Sequence, residues 1–450
     1  MSGEVIMMSK EIHLGMDDID SPRGGCTTHF ASLVVEMLTE RGAQWIDYPN
    51  LIRLNPNIPF RTRGNGAVAL RFRIGADKAA DLLPVLKKMI HKYVELEYPN
   101  TNPGVVLVEG TIPREVHDFS ERAIWRTISI AIARRILERY SIQHIWDGNG
   151  RGLIGALAAV GNQLPQDHTY EFIAYRPLEI SDMPRGVYDN SVAEMNRVMG
   201  EQLFSSIDLG TDRTLIAPHG PDPVLYGIRG ENSEDVISAA SYVRSESSIE
   251  RWMVFRSNQG TGAHLKNVVY ISDLRPYMAA IVHGVIERDP KMIEGGHAIF
   301  GISDCSGHID CAAYEPTGEF RDIVARLARG DQLLVHAAVR PASRTHGPTL
   351  NVEGIEIIRL VKRIKMLNPL CPNCSKRMKS AGKGQGYKCI KCGFKDPLGT
   401  KTEVALEREL EEKVYLPPLR AQRHLTRPLE RMNRRNAGIP EGLVDNWHFP

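Results

Sequence analysis

Four of the chain's seven cysteines stand within 22 residues, as Cys371-Pro-Asn-Cys374 and, after fourteen intervening residues, Cys389-Ile-Lys-Cys392. A CxxC knuckle presents two thiolates from one tight turn, and two knuckles together complete a tetrahedral sulfur set for zinc. Four protein sulfurs leave no coordination position for water, so the expected zinc is structural. Lys376, Arg377, Lys379, Lys383, Lys388, Lys391 and Lys395 surround the knuckles, with Tyr387 and Phe394 between them. Cations interleaved with aromatic rings suit phosphates and bases. Lys376, Arg377, Lys379, Lys388 and Lys391 are the nucleic-acid-binding candidates, and a merely solvated basic face is the plainer reading of the same run. Cys26, Cys305 and Cys311 have no neighbouring base in sequence and are expected to be small packing residues.

Asp17, Asp18 and Asp20 form the second constellation, followed by Arg23, Gly24, Gly25 and the Thr27-Thr28 pair. Crowded carboxylates repel one another unless a cation joins them, and oxygen ligands suit Mg²⁺ shared with nucleotide phosphates. The free N–H groups and dipole of a helix start attract phosphate, so Arg23, Gly24, Gly25 and Thr28 are candidate phosphate ligands. A hydroxyl in this position can itself receive a phosphoryl group. An Asx-turn plus a threonine N-cap would need only one or two of these residues.

A third group, Arg53, Asn55, Arg61, Arg63 and Asn65, sits among proline and glycine turn residues in RLNPNIPFRTRGNG. Guanidinium forks bind phosphate bidentately, which makes Arg61, Arg63 and Asn65 nucleotide-binding candidates against the alternative of a solvated loop. Gly150, Gly152 and Gly155 spell a literal GxGxxG in GNGRGLIG. That motif means a dinucleotide site only within a well-formed βαβ unit, and the strand candidate before it, IQHIW, is short; a helix-packing role is at least as good a reading. FRSNQGTGAH, from Phe255 to His264, is a polar glycine-rich loop of the kind that lines a site. No GxxxxGK[ST] occurs, which excludes an ordinary P-loop.

These groups need elements to hold them. Ile12, Leu14 and Met16 alternate as in a strand that delivers the aspartates to its end, and TTHFASLVVEMLTERG has helical periodicity up to Gly42. Strand patterns at QWIDYPNLIRL and GAVALRFRIG precede a helix over ADKAADLLPVLKKMIHKYV. Residues 1–118 are therefore expected to form a nucleotide-binding α/β unit. Residues 119–275 begin with a helical stretch and contain strand candidates YEFIAYRP and VLYGIRG, an order that suggests a ferredoxin-like α+β domain. Residues 276–365 change to short β runs with one helical insert before the fourth, the pattern of an OB-fold barrel. The cysteine segment, 366–400, and a tail, 401–450, with six arginines between Arg420 and Arg435, complete a multidomain α+β chain.

With 42% hydrophobic and 24% charged residues, the 450-residue chain has the composition of a folding protein with room for several cores. No long apolar run or basic-then-apolar start occurs, so the expectation is a cytoplasmic protein with no membrane partner. The net charge of +2 conceals an asymmetry. Residues 359–395 hold eleven Lys/Arg and no Asp/Glu, whereas residues 1–358 hold 36 basic and 45 acidic side chains. An acidic body joined to a basic module fits a polyanion held by one part and chemistry done by another.

GMDDIDSPRGGCTT, RLNPNIPFRTRGNGAV, FRSNQGTGAHL and the C-terminal CxxC pair, in that order from Ile12 to Cys392, resemble the archaeal tRNA(Ile) 2-agmatinylcytidine synthetase family (TiaS). The resemblance implies a kinase-like domain, a ferredoxin-like domain, an OB-fold and a zinc ribbon. It also implies an ATP-dependent ligase that phosphorylates the carbonyl oxygen of the wobble cytidine in the CAU-anticodon isoleucine tRNA and replaces it with agmatine. By the same resemblance Asp17, Asp18 and Asp20 are the Mg²⁺-nucleotide and catalytic carboxylates, and Thr27 is the residue autophosphorylated by ATP. The family's motif more often has threonine where this chain has Ile19, which removes one hydroxyl and leaves Thr27. Two other classes remain open on the residues: a nucleic-acid-binding scaffold without ligase activity, and a Mg²⁺-dependent phosphodiester enzyme.

Overall fold

The structure, a computed structural model, describes residues 9–21, 23–61, 64–94, 98, 100–344 and 346–450. Eight strands form the backbone of its main sheet: β1 (Ser9–Asp17), β2 (Asn50–Arg53), β3 (Gly66–Gly75), β4 (Gly104–Glu109), β5 (Gln143–Trp146), β6 (Thr169–Tyr175), β7 (Val224–Gly230) and β8 (Arg251–Ser257). They lie in the order β7-β6-β8-β2-β3-β1-β4-β5, with Gln44–Trp45 added beside β3 and His448–Phe449 beside β8. Every pairing along this path is antiparallel except β8 with β2, where Arg256 and Ser257 run parallel to Asn50 and Leu51.

Helices cover both faces, which is why β3 reads as a nearly continuous apolar run rather than an alternation. On one face Leu70, Phe72 and Ile74 of β3 share a core with α1 (Thr27–Glu40), α2 (Leu82–Tyr93), and residues Val192, Met195, Val236 and Ala239 from two later helices. On the other, Ala67 and Ala69 of β3 pack with Val106 and Val108 of β4 under α3 (Arg114–Ala123), α4 (Ile130–Arg139) and α5 (Gly152–Gly161).

The expected boundary near residue 118 falls inside α3, and β5 extends the sheet from β4. Residues 119–161 thus pack with the first unit, and the sheet continues through the β8–β2 pairing into the second. Hydrophobic periodicity says which face is buried but not which partner a strand finds, so this joint was invisible in the pattern.

Five further strands, β9 (Ala279–Ile293), β10 (His297–Asp304), β11 (Gly307–Ala313), β12 (Gln332–Arg340) and β13 (Thr349–Arg359), close into a barrel. Taken in barrel numbering the neighbours run 1-2-3-5-4-1, closed by a parallel contact of Asp310–Ala312 with Thr349–Asn351. The helix Glu319–Ala325 lies between the third and fourth strands, its Phe320 and Val324 buried in the barrel core. A two-stranded stalk, Arg363–Leu367 against Thr402–Leu406, carries the cysteine segment away from the barrel.

The tail then returns to the main sheet. Trp447 packs edge-on to Trp45 and Tyr48, and Arg431 is fully buried between Glu231 (2.6 Å) and Asp167 (3.2 Å). Arg420 and Arg427 likewise pair with Asp208 and Asp167. These tail arginines serve as internal clamps.

Candidate active site and cysteine centre

The acidic cluster is built by three neighbouring elements. β1 carries Asp17 at its end, Asp18 turns the chain at a φ of 59°, and α1 starts at Thr27. The N-cap of α1 makes no side-chain hydrogen bond and its first turn holds no acidic residue, so its N–H groups are available to an anion. The Ile19 N–H donates to Thr27 Oγ1 at 3.4 Å, which ties the threonine across the loop to the aspartate run. The Ile19 side chain itself is buried in the main core, away from the aspartates' cleft.

The GNGRGLIG segment supplies the floor. A Cβ on Gly155 would come within 1.8 Å of Asp17 Oδ2, and one on Gly152 within 2.5 Å of the Gly104 nitrogen and the Asn102 oxygen. These glycines let α5 sit directly against the ends of β1 and β4. The Asn102 N–H donates to Asp18 Oδ2 at 3.1 Å, and Arg151 places a guanidinium nitrogen 3.9 Å from the same oxygen.

Asp17, Asp18, Asp20, Thr27 and Thr28 line a cleft of about 340 Å³, with Arg53, Arg61, Asn65, Arg151, Glu171, Arg229 and His424 among the residues around it. Burial, then the charge of Asp18, pushes the Asp17 carboxyl well above the usual aspartate range. Burial and the charge of Asp20 push Asp18 up to about 6. Burial lowers the Arg53 pKa, and Arg53 holds its place by donating Nε–H to Gln259 Oε1 at 3.1 Å. Glu171 accepts from Arg229 at 3.1 Å and from Gln259. The FRSNQGTGAH loop therefore braces the cationic side of the cleft from beneath.

Arg23, Gly24 and Gly25 are not among the described residues lining this cleft. Ser21 and Gly24 exchange backbone hydrogen bonds, Gly25 adopts a φ of 73°, and Arg23 is exposed with its guanidinium 6.0 Å from the Tyr98 ring centre. They shape the turn. Arg63 lies outside the described residues. Glu171, which lies about where a ribose-binding acid would follow the GxGxxG, faces the cleft, as do Arg229 and His424, which no local pattern marks as ligands in the sequence; only the tertiary path of the tail brings His424 there, and the charge of Arg53, then burial, holds its imidazole well below the usual histidine pKa.

At the cysteine centre, Cys371, Cys374, Cys389 and Cys392 place their sulfurs all within 4.8 Å of one another. The two knuckles repeat one geometry. Ser375 N–H donates to Cys371 O at 2.8 Å with Ser375 at a φ of 54°, and Gly393 N–H donates to Cys389 O at 3.0 Å with Gly393 at 77°. Zinc–sulfur bonds of about 2.3 Å require sulfurs about 3.8 Å apart, and the two pairs across the knuckles, at 3.4 and 3.5 Å, are close to that. Lys376, Arg377, Lys379, Lys388 and Lys391 are all exposed around this centre. Among the described residues, the aspartates do not gather three oxygens so tightly; one or two of them plus phosphate oxygens and water is the shell they fit for Mg²⁺.

A cleft with carboxylates and guanidinium groups on its walls, in a chain that also carries a barrel and a basic four-cysteine module, defines a phosphate-handling protein with a separate module for a polyanionic partner. Family profiles agree in detail: residues 13–82 match the TiaS TCKD domain, 150–264 the TiaS FLD domain and 368–410 the TiaS C-terminal zinc ribbon domain. The chain is 41% identical to the isoleucine-tRNA 2-agmatinylcytidine synthetase TiaS of Staphylothermus marinus, covering 96% of both chains, and 39% identical to that of Archaeoglobus fulgidus, covering 94% and 98%. It also resembles the crystal structure of TiaS in complex with its isoleucine tRNA and ATP (TM-score 0.85, 38% identity) and that of TiaS with the same tRNA, AMPCPP and agmatine (0.82, 35%), covering 94% of this chain and 98% of each. The chain belongs to the isoleucine-tRNA 2-agmatinylcytidine synthetase family.

Proposed function

We propose that the chain is an ATP-dependent ligase that conjugates agmatine to the wobble cytidine of the CAU-anticodon isoleucine tRNA, forming 2-agmatinylcytidine. The observation that carries this reading is the near-full-length match to relatives of that name, joined to a cleft that sets Asp17, Asp18 and Asp20 near Thr27 and the arginines. A carbonyl oxygen on a pyrimidine is a poor leaving group, and transfer of the terminal phosphoryl of ATP to it makes a good one. The primary amine of agmatine then attacks the ring carbon and loses a proton, and phosphate departs with the former carbonyl oxygen.

The residues divide the work. One or two of Asp17, Asp18 and Asp20 would hold Mg²⁺ together with the nucleotide's phosphate oxygens, and the ion would neutralise phosphate charge. Arg53 and Arg61 take up negative charge on the transferred group, and Thr27 at the start of α1 is the hydroxyl autophosphorylated by a separate ATP, ADP leaving and the hydroxyl proton passing to a neighbouring carboxylate. The barrel's 1-2-3-5-4-1 order and its helix between the third and fourth strands support an OB-fold, the first unit a kinase-like domain and residues 150–264 a ferredoxin-like one. Zinc in the ribbon is structural, and its basic surface contacts tRNA. No helix of the described residues is long and apolar enough to cross a membrane, and action on tRNA is expected in the cytoplasm.

Mass spectrometry of the anticodon nucleosides after incubation with the isoleucine tRNA, ATP and agmatine tests the reading. A wobble nucleoside heavier by agmatine less water, dependent on all three substrates, is expected. Strand cleavage would indicate a phosphodiester enzyme, and binding without product a scaffold.

A further inference from the structure

The mouth of the cleft carries one conspicuous apolar group. Among the described residues that line it, Phe60 is the single phenylalanine, tyrosine or tryptophan, and it is 60% exposed. Its loop is anchored at the base: Leu54 N–H donates to Asn65 O at 2.9 Å, Asn65 Nδ2 to Asn55 O at 2.7 Å, and Asn55 Nδ2 to Tyr277 O at 2.8 Å. Between these anchors Phe60 lines the cleft. The Arg151 guanidinium stands 5.3 Å from the centre of the Phe60 ring, fixed by a 3.1 Å bond to Asn100 O and only 3.9 Å from Asp18 Oδ2. The guanidinium lies over one face of the Phe60 ring and the residue is 60% exposed, so the pair forms a backed platform, close to the acidic cluster, on whose outer face a flat ring can stack.

The proposed reaction requires such a platform. A base within a tRNA loop presents its carbonyl to a phosphoryl donor only when splayed out of its stack, and proteins hold splayed bases on aromatic rings and arginine planes. We infer that Phe60, backed by Arg151, is the stacking platform for the splayed wobble base. This inference rests on the ligase reading. Phe60 acts as a positioning residue: it holds the base while the carboxylates and arginines act on its oxygen. The adenine of ATP is a flat base too, so the test must separate the two.

A fluorescent cytidine analogue placed at the wobble position of the isoleucine tRNA reports stacking by quenching, whether or not chemistry follows. Wild-type protein should quench it; Phe60→Ala should not, while Phe60→Tyr should. In the modification assay Phe60→Ala should lower kcat/KM for tRNA by roughly 5- to 150-fold, the worth of one stacked base, with Phe60→Tyr close to wild type and the ATP dissociation constant unchanged in both. Quenching retained in Phe60→Ala, equal damage from alanine and tyrosine, or a parallel loss of ATP affinity would each overturn the assignment. Product absent from the wild-type reaction would instead overturn the ligase reading, and the quenching arm would still decide where the base stacks.

Discussion

Replacing Asp18 by asparagine should make the protein more stable and inactive at once. The Asp18 carboxyl rises from the ordinary 3.8 to about 6 through burial and the charge of Asp20, and its side chain is only 12% exposed. Because the folded value lies above the unfolded one, the folded state binds the proton more tightly. Wild-type stability therefore falls as pH rises from 3.8 towards about 6, and the penalty is complete above that. At 1.36 kcal/mol per tenfold change in proton affinity it amounts to about 3 kcal/mol at most. Asparagine keeps an oxygen to accept the Asn102 N–H, at 3.1 Å in the wild type, and removes the charge. In metal-free buffer at pH 7, Asp18→Asn should raise the melting temperature of the main-sheet unit by several degrees, at about 2–4 °C per kcal/mol. The gain should vanish near pH 4 and shrink in the wild-type comparison when Mg²⁺ is added, since a cation relieves the same repulsion. Calorimetry at pH 4 and 7, with and without Mg²⁺, reads all of this beside a tRNA modification assay that should show a loss of orders of magnitude. A variant less stable at pH 7, or a difference that does not change with pH, would refute the reasoning.

Three other outcomes follow from the same geometry. Cys389→Ser, or removal of zinc by a chelator, should cost tRNA affinity while leaving ATP affinity near wild type, as titrations with each ligand would show; equal loss of both would contradict the separateness of the ribbon. Alanine at Lys376, Arg377 and Lys379 together should flatten the salt dependence of tRNA binding by about one in slope for each phosphate these side chains neutralise, measured from about 50 to 200 mM salt. Arg431→Ala should destabilise the fold by about 3–5 kcal/mol in denaturant unfolding, because it strands the Glu231 carboxylate beneath the tail and leaves Asp167 with Arg427 as its one ion-pair partner among the described residues; a loss confined to tRNA affinity would mean that Arg431 serves the ligand instead.

Local chemistry was legible in the sequence, and long-range assembly was not. The alternation of Ile12, Leu14 and Met16 located β1 and so set the aspartates at a strand end, and the periodicity after Thr27 located α1. The cysteine spacing implied the four-sulfur cluster directly, because both knuckles are complete in four-residue turns. The glycines of GNGRGLIG read equally as phosphate-binding or packing; only the approach of α5 to Asp17 shows the packing use. Arg431 looked like part of a basic tail because its carboxylate partners lie about 200 or more residues away, and no local pattern signals such a pairing. The same holds for His424, which reaches the cleft because Arg427, Arg431 and Trp447 hold the tail against the main sheet.

The chemistry at the cytidine can be followed atom by atom. An isoleucine tRNA carrying oxygen-18 at the carbonyl of the wobble base, incubated with the protein, ATP, Mg²⁺ and agmatine, should yield inorganic phosphate containing one heavy oxygen for each agmatinylcytidine formed. Heavy oxygen appearing in water rather than phosphate, with product still made, would contradict activation of that carbonyl by phosphoryl transfer.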